Sequence, residues 1–201
     1  MTGRGRFVTV EGGEGVGKST LIAGLRAAPA FADALFTREP GGSSGAEEIR
    51  ALFVSGEAER WDAMTELLLV NAARRDHVVR TVEPALAAGR MVVCDRYLDS
   101  TRAYQGARGV DRTTIDRMHA LAVGLTPDRT LLLDAPPDAA LARARARQGP
   151  DRFERMTDGF HERLRDAFRA IANAEPERFA VIDATQPPEA VLAAALDALS
   201  C

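Results

Sequence analysis

The sequence predicts an α/β protein: a five-stranded parallel sheet with helices on both faces. Two observations carry that class. Five short apolar runs, Phe7–Val10, Ala34–Thr37, Met91–Cys94, Thr130–Leu133 and Phe179–Ile182, alternate with longer stretches of helical periodicity. Continuous apolar strands separated by helices imply a parallel sheet buried on both faces. Polar groups suited to chemistry also follow the strand ends, at Gly12, Arg38, Asp95 and Asp134, where such sheets bind ligands. A length of 201 residues fits one domain spanning 1–201, and no repeat or low-complexity linker divides it.

The first run leads into Gly12-Gly13-Glu14-Gly15-Val16-Gly17-Lys18-Ser19, the G-x-x-x-x-G-K-S pattern of a phosphate-binding loop. A β-branched strand precedes it, and Thr20-Leu21-Ile22-Ala23 opens a helical pattern after it. Four glycines let backbone N–H groups turn inward around an anionic oxygen, and the helix N-terminus adds its dipole. A nucleoside triphosphate is therefore expected along Gly12–Thr20. Of 26 Lys plus Arg residues, Lys18 is the only lysine. The loop position thus calls for a compact ammonium where every other cation is a planar fork. Ser19 is a candidate Mg²⁺ ligand, its bland alternative being a good helix N-terminal residue.

Ser19–Ala28 reads as a helix stopped near Pro29. The second strand ends in Arg38-Glu39-Pro40-Gly41-Gly42, a turn by its proline and glycines. Ala46–Val54 reads as helical. Ala63–Ala88 does too, with Met64, Leu67, Leu68, Val78, Val79 and Val82 in step and Pro84 expected to kink or end it. The third strand ends at Asp95-Arg96-Tyr97, and Asp95 falls where phosphate-loop proteins place an acid near the magnesium. Thr114–Gly124 is helical and the fourth strand ends at Asp134. Asp138–Arg147 is a helix rich in Ala and Arg, broken by Gln148-Gly149-Pro150. Its Arg143 and Arg147 share one face and Arg145 another. In an acidic protein that cluster reads as a short cap, about 143–155, bringing cations to a phosphoryl group. A solvated face paired with Asp151 and Glu154 is the alternative. Phe160–Asn173 and the closing Pro188–Leu199 are helices on either side of the last strand.

Composition narrows the partners. Hydrophobic content of 46% and charged content of 27% describe an ordinary globular protein. A net charge of −3 argues against a surface that coats nucleic acid, so a nucleotide site must gather its Arg locally. Cys94 and Cys201 form neither a disulfide framework nor a metal spacing, and Cys94 reads as a small buried residue. His77, His119 and His161 share no ligand spacing, and Trp61 and Phe160 read as packing residues. No run approaches a membrane span, and Met1–Arg6 has no apolar stretch behind it. The expectation is a cytoplasmic protein with neither membrane nor nucleic-acid partner.

Taken together, Glu11–Ser19, Phe36–Gly42, Asp95–Gly106, Arg152–Glu154 and Asp183–Pro187 resemble the bacterial thymidylate kinases, nucleoside monophosphate kinases of the P-loop fold. The resemblance implies transfer of the γ-phosphoryl of ATP to dTMP, with Mg²⁺ held through Ser19 and Asp95, and a homodimer formed through helices flanking the sheet. It implies Glu14 near the sugar 3′-hydroxyl, Arg38 and Arg96 on the acceptor phosphate, Arg74 on the thymine and Ser100 on another base edge. Tyr104 would pack on the deoxyribose and disfavour a 2′-hydroxyl, with Phe36, Val70 and Gln105 completing the acceptor set. Gly15-Val16 in place of an arginine resembles the subclass whose catalytic arginine comes from the cap, here Arg145 or Arg147. The departure is Val70, where many relatives stack a Phe on the base, a contact worth roughly 0.5–1.5 kcal/mol.

The chemistry implied is direct in-line transfer with Lys18, Asp95, Arg96 and a cap arginine as its catalytic groups. No general base is needed, because a phosphate monoester is already a competent nucleophile. Two alternatives remain: a kinase for another nucleoside monophosphate, and a non-catalytic ATP-binding regulatory domain. A guanine-binding switch is excluded, since its Asn-Lys-x-Asp segment needs a second lysine.

Overall fold

The computed structural model describes residues 3–57, 59–145 and 156–200. Five strands, β1 (Phe7–Glu11), β2 (Leu35–Arg38), β3 (Val92–Asp95), β4 (Arg129–Asp134) and β5 (Phe179–Asp183), form one parallel sheet in the order β2-β3-β1-β4-β5. The central strand β1 is buried at every residue. Its β-branched side chains suit a surface covered on both sides. Val8 and Val10 face α1 (Lys18–Ala27) and α9 (Pro188–Leu199) through Leu21, Leu25, Val191 and Leu199. Phe7 faces α3 (Ala63–His77), α4 (Glu83–Ala87), α5 (Leu98–Ala107) and α6 (Arg112–Ala122) through Leu67, Leu86, Leu98 and Ile115. Each such side chain contributes about 1.5–3 kcal/mol by leaving water. A third cluster joins Phe53 of α2 (Ser44–Val54), Val70, Tyr104 and the Phe160, Leu164 and Phe168 face of α8 (Asp158–Ala174).

Register places the functional ends side by side. Val10 and Arg38 both pair with Asp95, and Asp134 lies at the end of β4 on the far side of β1. Because β1 is flanked by β3 and β4, the loop leaving it emerges between the two strand-end carboxylates.

Several elements differ from the sequence expectation, α2 and α8 only in starting two residues early. The single helix over Ala63–Ala88 is broken: α3 ends at His77, a wide π-type turn spans Val78–Val82, and α4 restarts at Glu83 with Pro84 in its first turn. The turn absorbs the proline, because the Glu83 N–H reaches back five residues to Val78 O and Pro84 has no N–H to give. α6 begins two residues early, with the Asp111 carboxylate accepting from Thr114 N at 2.9 Å. Apolar spacing does not announce α5, since much of what it buries is polar, including Asp99, Ser100, Thr101 and Gln105. α7 (Pro137–Arg145) reaches the start of the expected cap. The rest of the cap, with Arg147 and the Arg152–Glu154 segment, lies outside the described residues, and of Arg145 only the backbone is described.

Candidate active site

The loop is shaped by glycines that no other residue replaces. Gly12 has φ +136°, and a Cβ there would stand 2.5 Å from Leu133 O. Gly17, at φ +101°, opens α1 in left-handed backbone. Lys18 is the first residue of α1 and only 8% exposed. Its Nζ donates across the loop to Gly12 O at 3.1 Å and Gly13 O at 2.7 Å. Burial, then Arg96, lowers its pKa to about 8 against the opposing pull of Glu14, Asp95 and Glu11. Ser19 and Thr20 are exposed in the first helical turn, whereas Val16 is buried in the core beneath the loop.

Arg96 is the one non-glycine residue with positive φ (66°) among the described residues. Such a conformation costs of order 1–3 kcal/mol and marks a site whose surroundings over-determine it. Its NH1 donates to Gly12 O at 2.9 Å and Ser100 Oγ at 3.2 Å, its NH2 to Glu14 Oε1 at 2.8 Å, and the guanidinium lies over the Tyr104 ring at 5.1 Å. Tyr104 OH also donates to Glu14 Oε1, at 2.6 Å. Burial would raise the Glu14 pKa, but Arg96 and then Lys18 outweigh it and hold the carboxyl at about 2.

Beside the loop opens a cleft lined by Glu14, Arg38, Val70, Arg74, Asp95, Arg96, Ser100, Tyr104 and Gln105. Nine sequence-predicted residues therefore share one cavity, apolar on one wall and polar on the others. Arg74 is 1% exposed; its Nε donates to Glu39 Oε2 at 2.7 Å and its NH2 to Thr101 Oγ1 at 2.7 Å, leaving the NH1 with no protein partner among the described residues. Glu39 is fixed in turn by His77 Nδ1 at 3.0 Å, and His77 Nε2 meets Thr37 Oγ1 at 2.7 Å. A buried arginine is thus oriented by a buried carboxylate, and the two N–H groups of its NH1 are left over to read a ligand. Arg38 sits half-exposed at the rim, its NH2 alone donating to both Glu47 oxygens at 2.9 Å. Gln105 donates to Glu66 Oε2 at 3.0 Å.

Phe36 is not in the cleft lining; its ring packs toward Phe31, and the Arg26 guanidinium lies 4.6 Å over it. His77, His119 and His161 are all buried, and Phe160 packs against Tyr104. Cys94 is fully buried as expected, and a metal-binding group of three or more His, Cys, Asp or Glu is absent among the described residues.

Four residues to which the sequence assigns no role prove central. Glu11, fully buried at the end of β1, accepts from Tyr97 N at 2.7 Å and Ser100 Oγ at 2.6 Å. Burial, then Asp99, pushes its carboxyl up to about 7, opposed by Ser100, Arg96 and Tyr97 N. Its signal is a charge closing an otherwise apolar run. Glu39, which orients Arg74, is visible only as the middle of Arg-Glu-Pro. Phe53 and Val54 of α2 join Val70 on the apolar wall of the cleft, and nothing local in α2 foretells that.

The family model for thymidylate kinase matches residues 10–195. The chain is similar to thymidylate kinase from Rhizorhabdus wittichii, 53% identical over 98% of this chain and 97% of that one. It is similar to thymidylate kinase from Ruegeria pomeroyi, 51% identical over 96% and 93%. It also superposes on the crystal structure of thymidylate kinase from Ehrlichia chaffeensis with a TM-score of 0.78 at 30% identity, covering 98% of this chain and 100% of that chain.

Proposed function

The chain belongs to the thymidylate kinase family, and on that premise we propose how its loop and cleft transfer the γ-phosphoryl of ATP to dTMP, giving dTDP and ADP. One observation carries the reading: Arg96 contacts the phosphate loop at Gly12 O and Glu14 and also lines the cleft. One cation spans the donor cradle and the acceptor cavity. The loop N–H groups, from Gly12 to Thr20, cradle the ATP phosphates, and Lys18 trades its loop carbonyls for phosphate oxygens. The forks of Arg38 and Arg96 hold the dTMP phosphate so that one of its oxygens is aligned with the γ-phosphorus. That oxygen forms the new P–O bond as the bond to the ADP oxygen breaks, with no covalent enzyme intermediate.

At the other end of the cleft, Arg74 presents an N–H of its NH1 to a thymine carbonyl, with Ser100 and Gln105 as further polar partners. Val70, Val54 and Phe53 cover the ring, Tyr104 lies against the deoxyribose, and Glu14 receives the 3′-hydroxyl. A magnesium ion fits the residues present. Asp95 Oδ1 is a buried acceptor without a hydrogen-bond partner among the described residues, and Ser19 lies exposed in the first turn of α1. Two protein ligands suit an ion that keeps its waters and takes phosphate oxygens. When bound, the ion neutralises charge on the ATP phosphates. Arg145 and Arg147 are proposed to bring the transition-state cation from the cap in this single domain, a role that rests on sequence and resemblance.

The exposed Met64, Leu68 and Val79 follow one side of α3 into the turn beyond it, and Leu121 of the adjoining α6 is 85% exposed. That stripe supports a homodimer through these helices; light scattering should give twice the chain mass. We place the enzyme in the cytoplasm, where ATP and dTMP are drawn on for dTTP synthesis. A kinase for another monophosphate and a regulatory ATP-binding domain are not favoured by the relatives. The test is an ADP-release assay with ATP and a panel of nucleoside monophosphates. A preference for dTMP of at least about 100-fold in kcat/KM is expected; a preference for CMP, UMP or AMP overturns the assignment.

A further inference from the structure

Glu11 belongs by position to the donor loop and by contact to the acceptor side. Oε1 accepts from Tyr97 N at 2.7 Å and Ser100 N at 3.2 Å, while Oε2 accepts from Ser100 Oγ at 2.6 Å. Tyr97 is the residue before α5 and supplies no side-chain cap. The orphan N–H groups of the first turn of α5 are thus satisfied by a carboxylate from another strand.

The hydroxyl of Ser100 has one proton. A carboxylate only accepts, so that proton is committed to Glu11 and the Ser100 lone pairs are left for Arg96 NH1, 3.2 Å away. The backbone on either side of Arg96 is pinned as well: Arg96 N donates to Val10 O at 2.9 Å, and Tyr97 N is held by Glu11.

We propose that Glu11 is a positioning residue of the acceptor site, fixing the first turn of α5 and the direction of the Ser100 hydroxyl, and through them the Arg96 fork that receives the acceptor phosphate. This rests on the reading of the cleft as the dTMP site. An amide cannot replace the carboxylate. If its oxygen serves Tyr97 N, its NH₂ faces Ser100 Oγ, and that hydroxyl no longer has to turn its proton from Arg96; the reverse orientation sets NH₂ against a backbone N–H.

The test is E11Q at pH 8, with steady-state constants for each substrate varied separately. The expected result is a KM for dTMP raised about tenfold, with KM for ATP within twofold of wild type. Equal changes in both KM values would make Glu11 a support of the loop and overturn the proposal. A lowered Tm with both KM values unchanged would make it a helix cap only, and overturns it too. S100A leaves the carboxylate its two backbone donors, and the E11Q/S100A pair reads the route through the hydroxyl: because Ser100 also faces the base, the two losses toward dTMP should be less than additive, whereas full additivity overturns that route. Should E11Q not fold, E11D takes its place: it keeps the charge but draws the carboxylate back from Tyr97 N and Ser100, and the same dTMP-only rise in KM is expected, with an equal rise for ATP overturning the proposal. Wild-type inactivity on dTMP would instead sink the underlying reading, before any variant is compared.

Discussion

The loop and the cleft, proposed to hold the donor and the acceptor phosphates, are built of different material. The loop is backbone, shaped by Gly12, Gly15 and Gly17 at positive φ, with one buried ammonium inside it. The cleft is side chain, assembled from the ends of β2 and β3 and from α2, α3 and α5, and three of its cations are each fixed by an acid: Arg38 by Glu47, Arg74 by Glu39, Arg96 by Glu14. A backbone cradle grips any triphosphate tail. A cleft of paired charges punishes misfit, because every displaced ligand atom leaves a buried group uncompensated. On the proposed function, donor tolerance and acceptor selectivity would follow from the two materials.

That contrast breaks first at Lys18. K18A should lower kcat by about 1000-fold, since one preorganised cation on the transferring group is worth roughly 10²–10³ or more. KM for dTMP should stay within about twofold, as the cleft is untouched; near-normal kcat in steady-state assays would dissolve the distinction. E39Q attacks the other material. Unpairing the fully buried Arg74 should cost about 3 kcal/mol in denaturant unfolding and raise KM for dTMP, with KM for ATP unchanged.

The two acids that bracket the loop give a pH signature. Glu14 is held at about 2, below the ordinary 4.5, so the stability it contributes is present above pH 4.5 and is lost as pH falls toward 2. Glu11 is raised to about 7, so the folded state holds its proton more tightly, and stability declines as pH rises from 4.5 through 7. Each shift corresponds to about 3 kcal/mol. Tm measured against pH should show E11Q gaining on wild type between pH 4.5 and 7, while the E14Q deficit stays flat there and closes only in acid. The reverse pattern would mean the two environments are misassigned. The smallest effect belongs to the apolar wall: F53L should raise KM for dTMP by about two- to tenfold, the worth of one aromatic contact. V70F should also shift that KM; no change would remove Val70 from the base pocket.

The same contrast explains what is legible in the sequence. The phosphate loop is contiguous, so Gly12–Ser19 announces its place between β1 and α1 by its residues alone. The parallel sheet follows from apolar runs that have to be buried on both faces. α5 is hidden because it turns Asp99, Ser100 and Gln105 inward, against the apolar periodicity that marks a helix. Glu11 and Glu39 carry no local pattern either; their partners lie 86 and 35 residues away in the chain, and only folding brings them to Tyr97 and Arg74. The π-type turn before Pro84 is legible as trouble, though not as a resolution. Phe36 is assigned to the acceptor by its neighbours in sequence, and strand alternation sends it to the other face of the sheet.

Lys18 has one consequence outside catalysis. In a chain with a single lysine, a lysine-specific endoproteinase or acylating reagent finds one side-chain address, and that address is 8% exposed inside the loop. Cleavage or modification there counts the moments when the loop opens. The protein carries its own single-site gauge of loop occupancy, legible on a gel or by mass, with no label introduced.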